Sequence, residues 1–120
     1  IHVEDHGEGI YLALTKGTLG EHYCFGGNAE KKNIEVVQTI CHILDQLRPN
    51  PKIGNYASLI TYVKDRPGHD RRYAMDDSKA LKELGYTRRY DFESGIAQTV
   101  EWYLANNRWC EAVTGRKKAA

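Results

Sequence analysis

The chain is organised around residues 59–73, which read LITYVKDRPGHDRRY. The first five, Leu59 to Val63, are mostly β-branched or aromatic, a composition that predicts a β-strand. The next ten, Lys64 to Tyr73, predict a loop, because Pro67 fixes its own φ and Gly68 tolerates a positive φ at the centre of a tight turn. Since ligand-binding loops are common at strand ends, we expect the functional site to lie at this loop.

Two arginines, Arg66 and Arg71, lie on either side of this turn. A guanidinium group matches two phosphate oxygens, and such a charge-assisted pair contributes on the order of 1.5–3 kcal/mol. The loop is therefore predicted to hold an anion. The alternative is a solvated basic loop in which the arginines pair with Asp65 and Asp70.

The length and composition indicate one globular domain. The 120 residues suffice for one modest core, so we assign residues 1–113 to a domain and residues 114–120 to a basic tail. The apolar fraction of 41% and the charged fraction of 28% are unlike those of a disordered chain. A net charge of +1 predicts no binding to nucleic acid or to a membrane surface. No apolar run approaches the roughly 18 residues of a membrane span.

The cysteines and histidines predict neither a disulfide framework nor a metal site. Cys24, Cys41 and Cys110 are widely spaced and odd in number, which favours reduced thiols in a cytoplasmic protein. None of the five histidines lies at a zinc-type spacing from a cysteine.

Helical periodicity and capping residues predict four helices. Asp5 and Glu8 form a candidate capping box at the start of the first, which Gly17 would end in the left-handed conformation. The second helix is the strongest prediction. Its apolar residues recur at helical spacing from Asn33, its N-cap, to Pro49, which forbids continuation.

The rest of the chain predicts shorter elements. Asp76 and Asp91 are candidate N-caps of the third and fourth helices, and Gly85 would close the third. Glu21 to Phe25 predicts a short strand that ends at Gly26-Gly27, a pair that lets backbone approach another segment or a ligand closely. We therefore expect an α+β fold, a small helix-rich domain with short strands.

The sequence patterns contain no group suited to bond breaking. A nicotinamide-binding domain needs a Gly-rich turn between a strand and a helix, whereas Gly17 to Gly20 is predicted to end a helix. No tyrosine is followed four residues later by a lysine, the spacing that places both on one helix face. No catalytic or cofactor-binding residue is predicted in this chain.

Several stretches carry a family resemblance: residues 1–6, 26–33, 65–74, 92–96 and 99–104. They closely resemble the C-terminal portion of bacterial dTDP-glucose 4,6-dehydratases. These extended short-chain dehydrogenases/reductases pair an N-terminal NAD-binding Rossmann domain with a smaller C-terminal domain for the sugar nucleotide. The resemblance implies that this chain is the smaller domain, so we expect a fragment whose partner is the missing Rossmann domain.

The resemblance implies an NAD-dependent lyase that converts dTDP-glucose to dTDP-4-keto-6-deoxyglucose, an intermediate of deoxysugar biosynthesis with rhamnose as a common destination. The NAD would be bound by the N-terminal domain. The tyrosine, lysine and carboxylates of the reaction would also lie there. The 120 residues alone are therefore expected to be inactive.

The resemblance also implies which residues bind the dTDP-sugar. They are Asp65, Arg66, Pro67, Gly68 and His69, with Arg66 on the phosphate or ribose side. Asn33 is a further candidate, although a role as helix N-cap explains that asparagine without any ligand.

Cys24 and Ala29 depart from the family pattern, in which asparagine is frequent at both positions. Two other functions stay open. The chain could belong to another nucleotide-sugar dehydratase, epimerase or decarboxylase, or it could be a stand-alone, non-catalytic nucleotide-binding or interaction module. Apolar surface left exposed by a missing domain would favour a homo-oligomer.

Overall fold

The computed structural model describes residues 1–115, and more than half of the chain is helical. The elements in chain order are α1 (Val3–Lys16), α2 (Asn33–Leu47), a 3₁₀-helix (Tyr56–Leu59), α3 (Ser78–Leu84), α4 (Phe92–Ala105) and α5 (Asn107–Thr114). The helix-rich part of the fold prediction is confirmed, and α5 is an additional helix. Beyond Gly115, the predicted basic tail lies outside the described residues.

Neither predicted strand forms among residues 1–115, so the α+β prediction is not confirmed. Residues 21–25 have no regular structure, and the chain leaves the 3₁₀-helix at Leu59 and stays irregular until α3. A strand exists only through hydrogen bonds to a partner, however suitable its composition. The β pairing found in the described part of the chain is one isolated bridge, between Asn50 and Gly54.

The chain divides into two compact units. Unit 1 comprises residues 1–32 and 61–95, and unit 2 comprises residues 33–60 and the chain from Ile96 onward. Helices α1 and α3 belong to unit 1, whereas α2, the 3₁₀-helix and α5 belong to unit 2.

The core of unit 1 lies between α1 and α3. Its buried side chains are Leu12, Ala80, Leu84 and Tyr86. The ring of Phe25 packs edge-on against Tyr86, with ring centroids 5.2 Å apart. This apolar core includes Ala80 and Leu84 of α3, the helix that follows the loop of residues 64–73 in the chain.

The start of α1 differs from the predicted capping box. The N-cap is His2, whose Nδ1 accepts a hydrogen bond from the backbone N–H of Glu4 at 3.3 Å. Asp5 lies in the first turn and is only 1% exposed. Its carboxylate accepts hydrogen bonds from the backbone N–H groups of Arg89 (3.0 Å) and Tyr90 (3.2 Å). Asp5 therefore joins α1 to a distant part of the chain instead of capping its own helix.

Two glycines were predicted to end helices in the left-handed conformation, and the structure confirms one of them. Gly85 ends α3 in the left-handed conformation, with φ 67°, as predicted. Gly17 ends α1 with φ −64° in an extended conformation, so the predicted left-handed cap is wrong there.

The predicted caps of α3 and α4 act on their first turns. Asp91 Oδ1 accepts a hydrogen bond from the backbone N–H of Ser94 at 2.8 Å, which confirms this aspartate as the cap of α4. Asp76 Oδ1 accepts from the N–H of Ser78 at 3.0 Å, one residue earlier than a standard N-cap. Hydrogen bonds from these two serines lower the pKa of each aspartate.

In unit 2, α2 packs against the 3₁₀-helix. Asp45 Oδ1 accepts a hydrogen bond from the backbone N–H of Tyr56 at 2.9 Å, and the Tyr56 hydroxyl donates to the carbonyl of Arg48 at 2.9 Å. Two tryptophans, Trp102 of α4 and Trp109 of α5, meet with ring centroids 5.1 Å apart. None of the helices within residues 1–115 is long and apolar enough to cross a bilayer.

Candidate functional site

One carboxylate oxygen of Asp65 contacts two other residues of the loop of residues 64–73. Pro67 and Gly68 form a turn, and Gly68 has φ 71°, the left-handed conformation that its lack of a Cβ makes accessible. Asp65 Oδ1 accepts a hydrogen bond from the backbone N–H of Arg66 at 2.8 Å and lies 2.7 Å from Nδ1 of His69. The residues predicted at positions 65–69 are thus brought together in unit 1.

The contact between Asp65 and His69 orients the imidazole. Because an ionised carboxylate only accepts hydrogen bonds, the Nδ1 of His69 donates to Asp65, and its Nε2 takes no part in this contact. The His69 hydrogen bond, helped by the backbone N–H of Arg66, holds the pKa of Asp65 below its usual value. Asp65 therefore stays ionised at neutral pH and keeps the imidazole in place.

A second hydrogen bond within the loop joins Tyr73 to Asp70. Its hydroxyl donates to Asp70 Oδ2 at 2.8 Å, a bond that raises the pKa of Tyr73.

The arginines of the loop do not pair with its aspartates. Neither Arg66 nor Arg71 has an ion pair within 4 Å among residues 1–115, and Arg72 lies 3.5 Å from Glu30. The reading in which Asp65 or Asp70 neutralises these arginines therefore does not describe the structure. The loop presents positive charge that a ligand could neutralise.

Asn33 is the first residue of α2 and belongs to unit 2, whereas residues 65–69 belong to unit 1. Its place at a helix start agrees with the local prediction within one position.

The Gly26-Gly27 pair serves the packing of the chain on itself. A Cβ on Gly26 would lie 2.8 Å from the carbonyl oxygen of Met75, and a Cβ on Gly27 would lie 2.9 Å from the backbone nitrogen of Ile1. Of the two interpretations of this pair, close approach to another segment describes the structure.

Sequence reasoning missed the ion pair that anchors the chain after the loop. Asp77 is 6% exposed, and both of its carboxylate oxygens lie 2.6 Å from Nη2 of Arg88. The Nε of the same arginine donates to the carbonyl of Gly26 at 3.1 Å. No spacing rule joins these residues, because the pair depends on the tertiary fold.

The described residues contain no cluster of three or more histidines, cysteines, aspartates or glutamates that could hold a metal ion. The loop side chains whose hydrogen-bond donors could recognise an anion are those of Arg66 and His69.

Comparison with known proteins identifies the family of this chain. The family model described as GDP-mannose 4,6 dehydratase matches residues 1–99. The dTDP-glucose 4,6-dehydratase of Shigella flexneri is 55% identical over 113 residues, which cover 94% of this chain and 31% of that protein. The enzyme of Xanthomonas campestris pv. campestris is 56% identical over 113 residues, covering 94% and 32%. The chain thus spans about a third of the length of these curated relatives and corresponds to their C-terminal portion.

Solved structures give the same result. The dTDP-glucose 4,6-dehydratase of Bacillus anthracis, solved in complex with NAD, is 41% identical and superimposes with a TM-score of 0.76, covering 91% of this chain and 32% of that one. The enzyme of Streptomyces venezuelae, with NAD and TYD bound, is 39% identical with a TM-score of 0.74, covering 91% and 31%.

Proposed function

Since the chain belongs to the GDP-mannose 4,6-dehydratase family, we propose that it is the sugar-nucleotide-binding portion of a dTDP-glucose 4,6-dehydratase. The observation that carries the proposal is the loop of residues 64–73, where Arg66 has no ion pair among the described residues. The names of the relatives point to dTDP-glucose as the substrate.

Each residue of the loop has a distinct role in this proposal. Arg66 binds the diphosphate with its guanidinium fork, and His69 donates or accepts through Nε2 beside it. Asp65 holds the imidazole through the 2.7 Å contact. Pro67 and Gly68 shape the turn. Asn33, the first residue of α2, is a further candidate for binding the sugar nucleotide.

The net reaction of the full-length protein would be the loss of one water from dTDP-glucose to give dTDP-4-keto-6-deoxyglucose. NAD is bound by the N-terminal part of these enzymes, which this chain does not include. Residues 1–115 offer no Gly-rich turn that opens a helix, since Gly17 to Gly20 follows α1 and precedes an irregular segment. In this proposal, the role of this chain is to bind and orient the nucleotide.

The same proposal explains why the sequence predicts an α+β fold although neither predicted strand forms here. Residues 21–25 and 59–63 have the composition of strands but no partner among residues 1–115. In the full-length protein they would pair with other strands and form short β elements.

Self-association stays a prediction. Val3 and Leu14 of α1 are 74% and 83% exposed, and apolar surface of this kind favours association. Sedimentation at increasing protein concentration tests it, and a monomer throughout would contradict it.

The proposed function is tested by turnover and binding in the full-length protein. Incubation with dTDP-glucose should yield a product that mass spectrometry identifies by the loss of one water, whereas the 120 residues alone should yield none. UDP-glucose and GDP-mannose should be turned over more slowly. Preference for either would support another nucleotide-sugar enzyme, and binding without turnover would support a non-catalytic module.

The role of the loop is tested by Arg66→Ala. The variant should weaken the binding of dTDP-glucose by about 1.5–3 kcal/mol, roughly ten- to a hundred-fold in Kd. Arg108→Ala removes the same charge from α5 and serves as the control, with little expected change. An unchanged Kd for Arg66→Ala would remove this arginine from the site.

A further inference from the structure

Of the three arginines in the loop, Arg72 is the one that has an ion-pair partner among residues 1–115. Its Nη2 lies 3.5 Å from Oε1 of Glu30, whereas Arg66 and Arg71 have no carboxylate within 4 Å in this part of the chain. The side chains of Arg72 and Glu30 are 73% and 45% exposed. Because an exposed pair contributes little to stability, its main effect is on the charge that the loop presents.

Glu30 is brought to the loop by a segment that is anchored on both sides. Before it in the chain, the carbonyl of Gly26 accepts a hydrogen bond from Arg88 Nε at 3.1 Å. After it, Lys31 Nζ lies 3.3 Å from Oε1 of Glu93. All of these residues belong to unit 1, as the loop does. The carboxylate of Glu30 is therefore held beside the loop by contacts that do not involve the loop itself.

The pair of Glu30 and Arg72 adds no net charge to the loop. The energy between a site and a ligand scales with the product of their charges, so cancelling one positive charge weakens the binding of every anion and weakens it most for the most highly charged one. At about pH 8, free dTDP carries roughly one negative charge more than dTDP-glucose, because its terminal phosphate has a second ionisation with a pKa of about 6. The pair therefore disfavours the free nucleotide more than the nucleotide sugar.

We propose that Glu30 is a specificity-determining residue, which neutralises Arg72 and so sets the preference of the loop for a nucleotide sugar over the more highly charged nucleoside diphosphate. This inference rests on the proposed function of the loop and deepens it. Arg66 remains the arginine that meets the diphosphate, whereas Arg72 stays with Glu30 and does not contact the ligand.

The test measures the Kd for dTDP-glucose and the Kd for dTDP in the full-length protein. Glu30→Gln restores one positive charge, so the Kd for dTDP-glucose should fall by about two- to five-fold and the Kd for dTDP should fall further. Both changes should shrink in about 1 M NaCl, which screens the charges. Glu8→Gln is the matched control, because it breaks another 3.5 Å pair with an arginine of unit 1, Arg89, and should change neither Kd.

A second variant shows whether Arg72 acts through its charge alone. Arg72→Gln leaves Glu30 without its cation and should weaken the binding of dTDP-glucose by about two- to five-fold. In the double variant, Glu30→Gln with Arg72→Gln, the net charge of the two positions is again zero, so Kd should return close to its wild-type value. A double variant as weak as Arg72→Gln would show that Arg72 contacts the ligand directly, which would overturn the inference.

The outcomes distinguish this inference from the proposed function. If Arg66→Ala leaves Kd unchanged, the function proposed for the loop fails. If Arg66→Ala weakens binding while Glu30→Gln changes neither Kd, or changes both by the same factor, only the role of Glu30 is overturned. An effect of Glu30→Gln that does not depend on salt would also overturn it.

Discussion

The ring of Phe25 lies directly on the backbone of Gly9, so that a Cβ built on this glycine would come within 2.6 Å of ring atom Cδ1. The contact brings the irregular segment after α1 onto the helix. It requires a residue without a side chain at position 9.

Gly9→Ala should therefore lower the free energy of unfolding by about 1–3 kcal/mol, because the ring must move out of a packed position. Gly7→Ala is the control within the same helix. A Cβ there meets nothing within 4 Å, and the substitution should stabilise α1 by about 0.5–1 kcal/mol. Urea denaturation of the two variants measures the difference, and equal effects would contradict the packing argument.

Among the acidic residues of α1, Asp5 should contribute most to the free energy of unfolding. Asp5→Ala leaves the N–H groups of Arg89 and Tyr90 without their acceptor, which should cost roughly 2–4 kcal/mol of unfolding free energy. Asp5→Asn retains one acceptor oxygen and should cost less. Glu8→Ala, which removes a half-exposed carboxylate 3.5 Å from the Arg89 guanidinium, should change stability by no more than about 1 kcal/mol. Similar losses for Asp5→Ala and Glu8→Ala would show that the buried hydrogen bonds matter little.

Removal of Arg88 should destabilise the protein, because it leaves a buried carboxylate without a partner. Arg88→Met leaves Asp77 without its cation and should destabilise the protein by about 3–5 kcal/mol. Arg88→Lys keeps the charge but cannot donate from two nitrogens at once, so its loss should be smaller. The control is Arg89→Met, at a side chain 62% exposed. Thermal unfolding distinguishes the variants, and an Arg88→Met protein as stable as Arg89→Met would contradict the pairing.

Asp65 should titrate below the usual range of an aspartate. Its pKa is lowered chiefly by the His69 hydrogen bond, so the folded protein gains stability from it above the unfolded pKa and loses it as the pH falls through the folded pKa. In an NMR titration of the carboxyl carbon, His69→Ala should raise the Asp65 midpoint toward its usual value, whereas His42→Ala should leave it unchanged. No response to His69→Ala would remove this imidazole as the cause.

The helices could be predicted from the sequence because their signals are local. Apolar spacing from Asn33 to Leu47, the cap at Asp91 and the glycine at position 85 each act within one or two turns. The strands predicted over residues 21–25 and 59–63 do not form among residues 1–115, because a strand depends on a partner that local composition does not reveal. The role of Asp5 was missed for the same reason, since its donors lie 84 and 85 residues away.

For the candidate site, the sequence predicted the turn at Pro67 and Gly68, which the structure confirms. The hydrogen bonds that organise it were not predictable from residue types. Asp65 has both Arg66 and His69 close in sequence, and the structure pairs its carboxylate with the His69 imidazole, while Asp70 accepts a hydrogen bond from Tyr73. Which partner a loop side chain selects depends on backbone direction, and that is set by the fold of the whole unit.

Unit 1 is built from two stretches separated by 28 residues of unit 2, positions 33–60. During synthesis, Asp5 and Phe25 leave the ribosome long before Tyr86, Arg89 and Tyr90, the residues that they contact, have been added to the chain. The apolar face of α1 therefore stays exposed to solvent until translation has passed residue 90. Long-range closure of this kind slows folding and exposes a nascent chain to aggregation, so the demand on chaperones should be greatest in that interval.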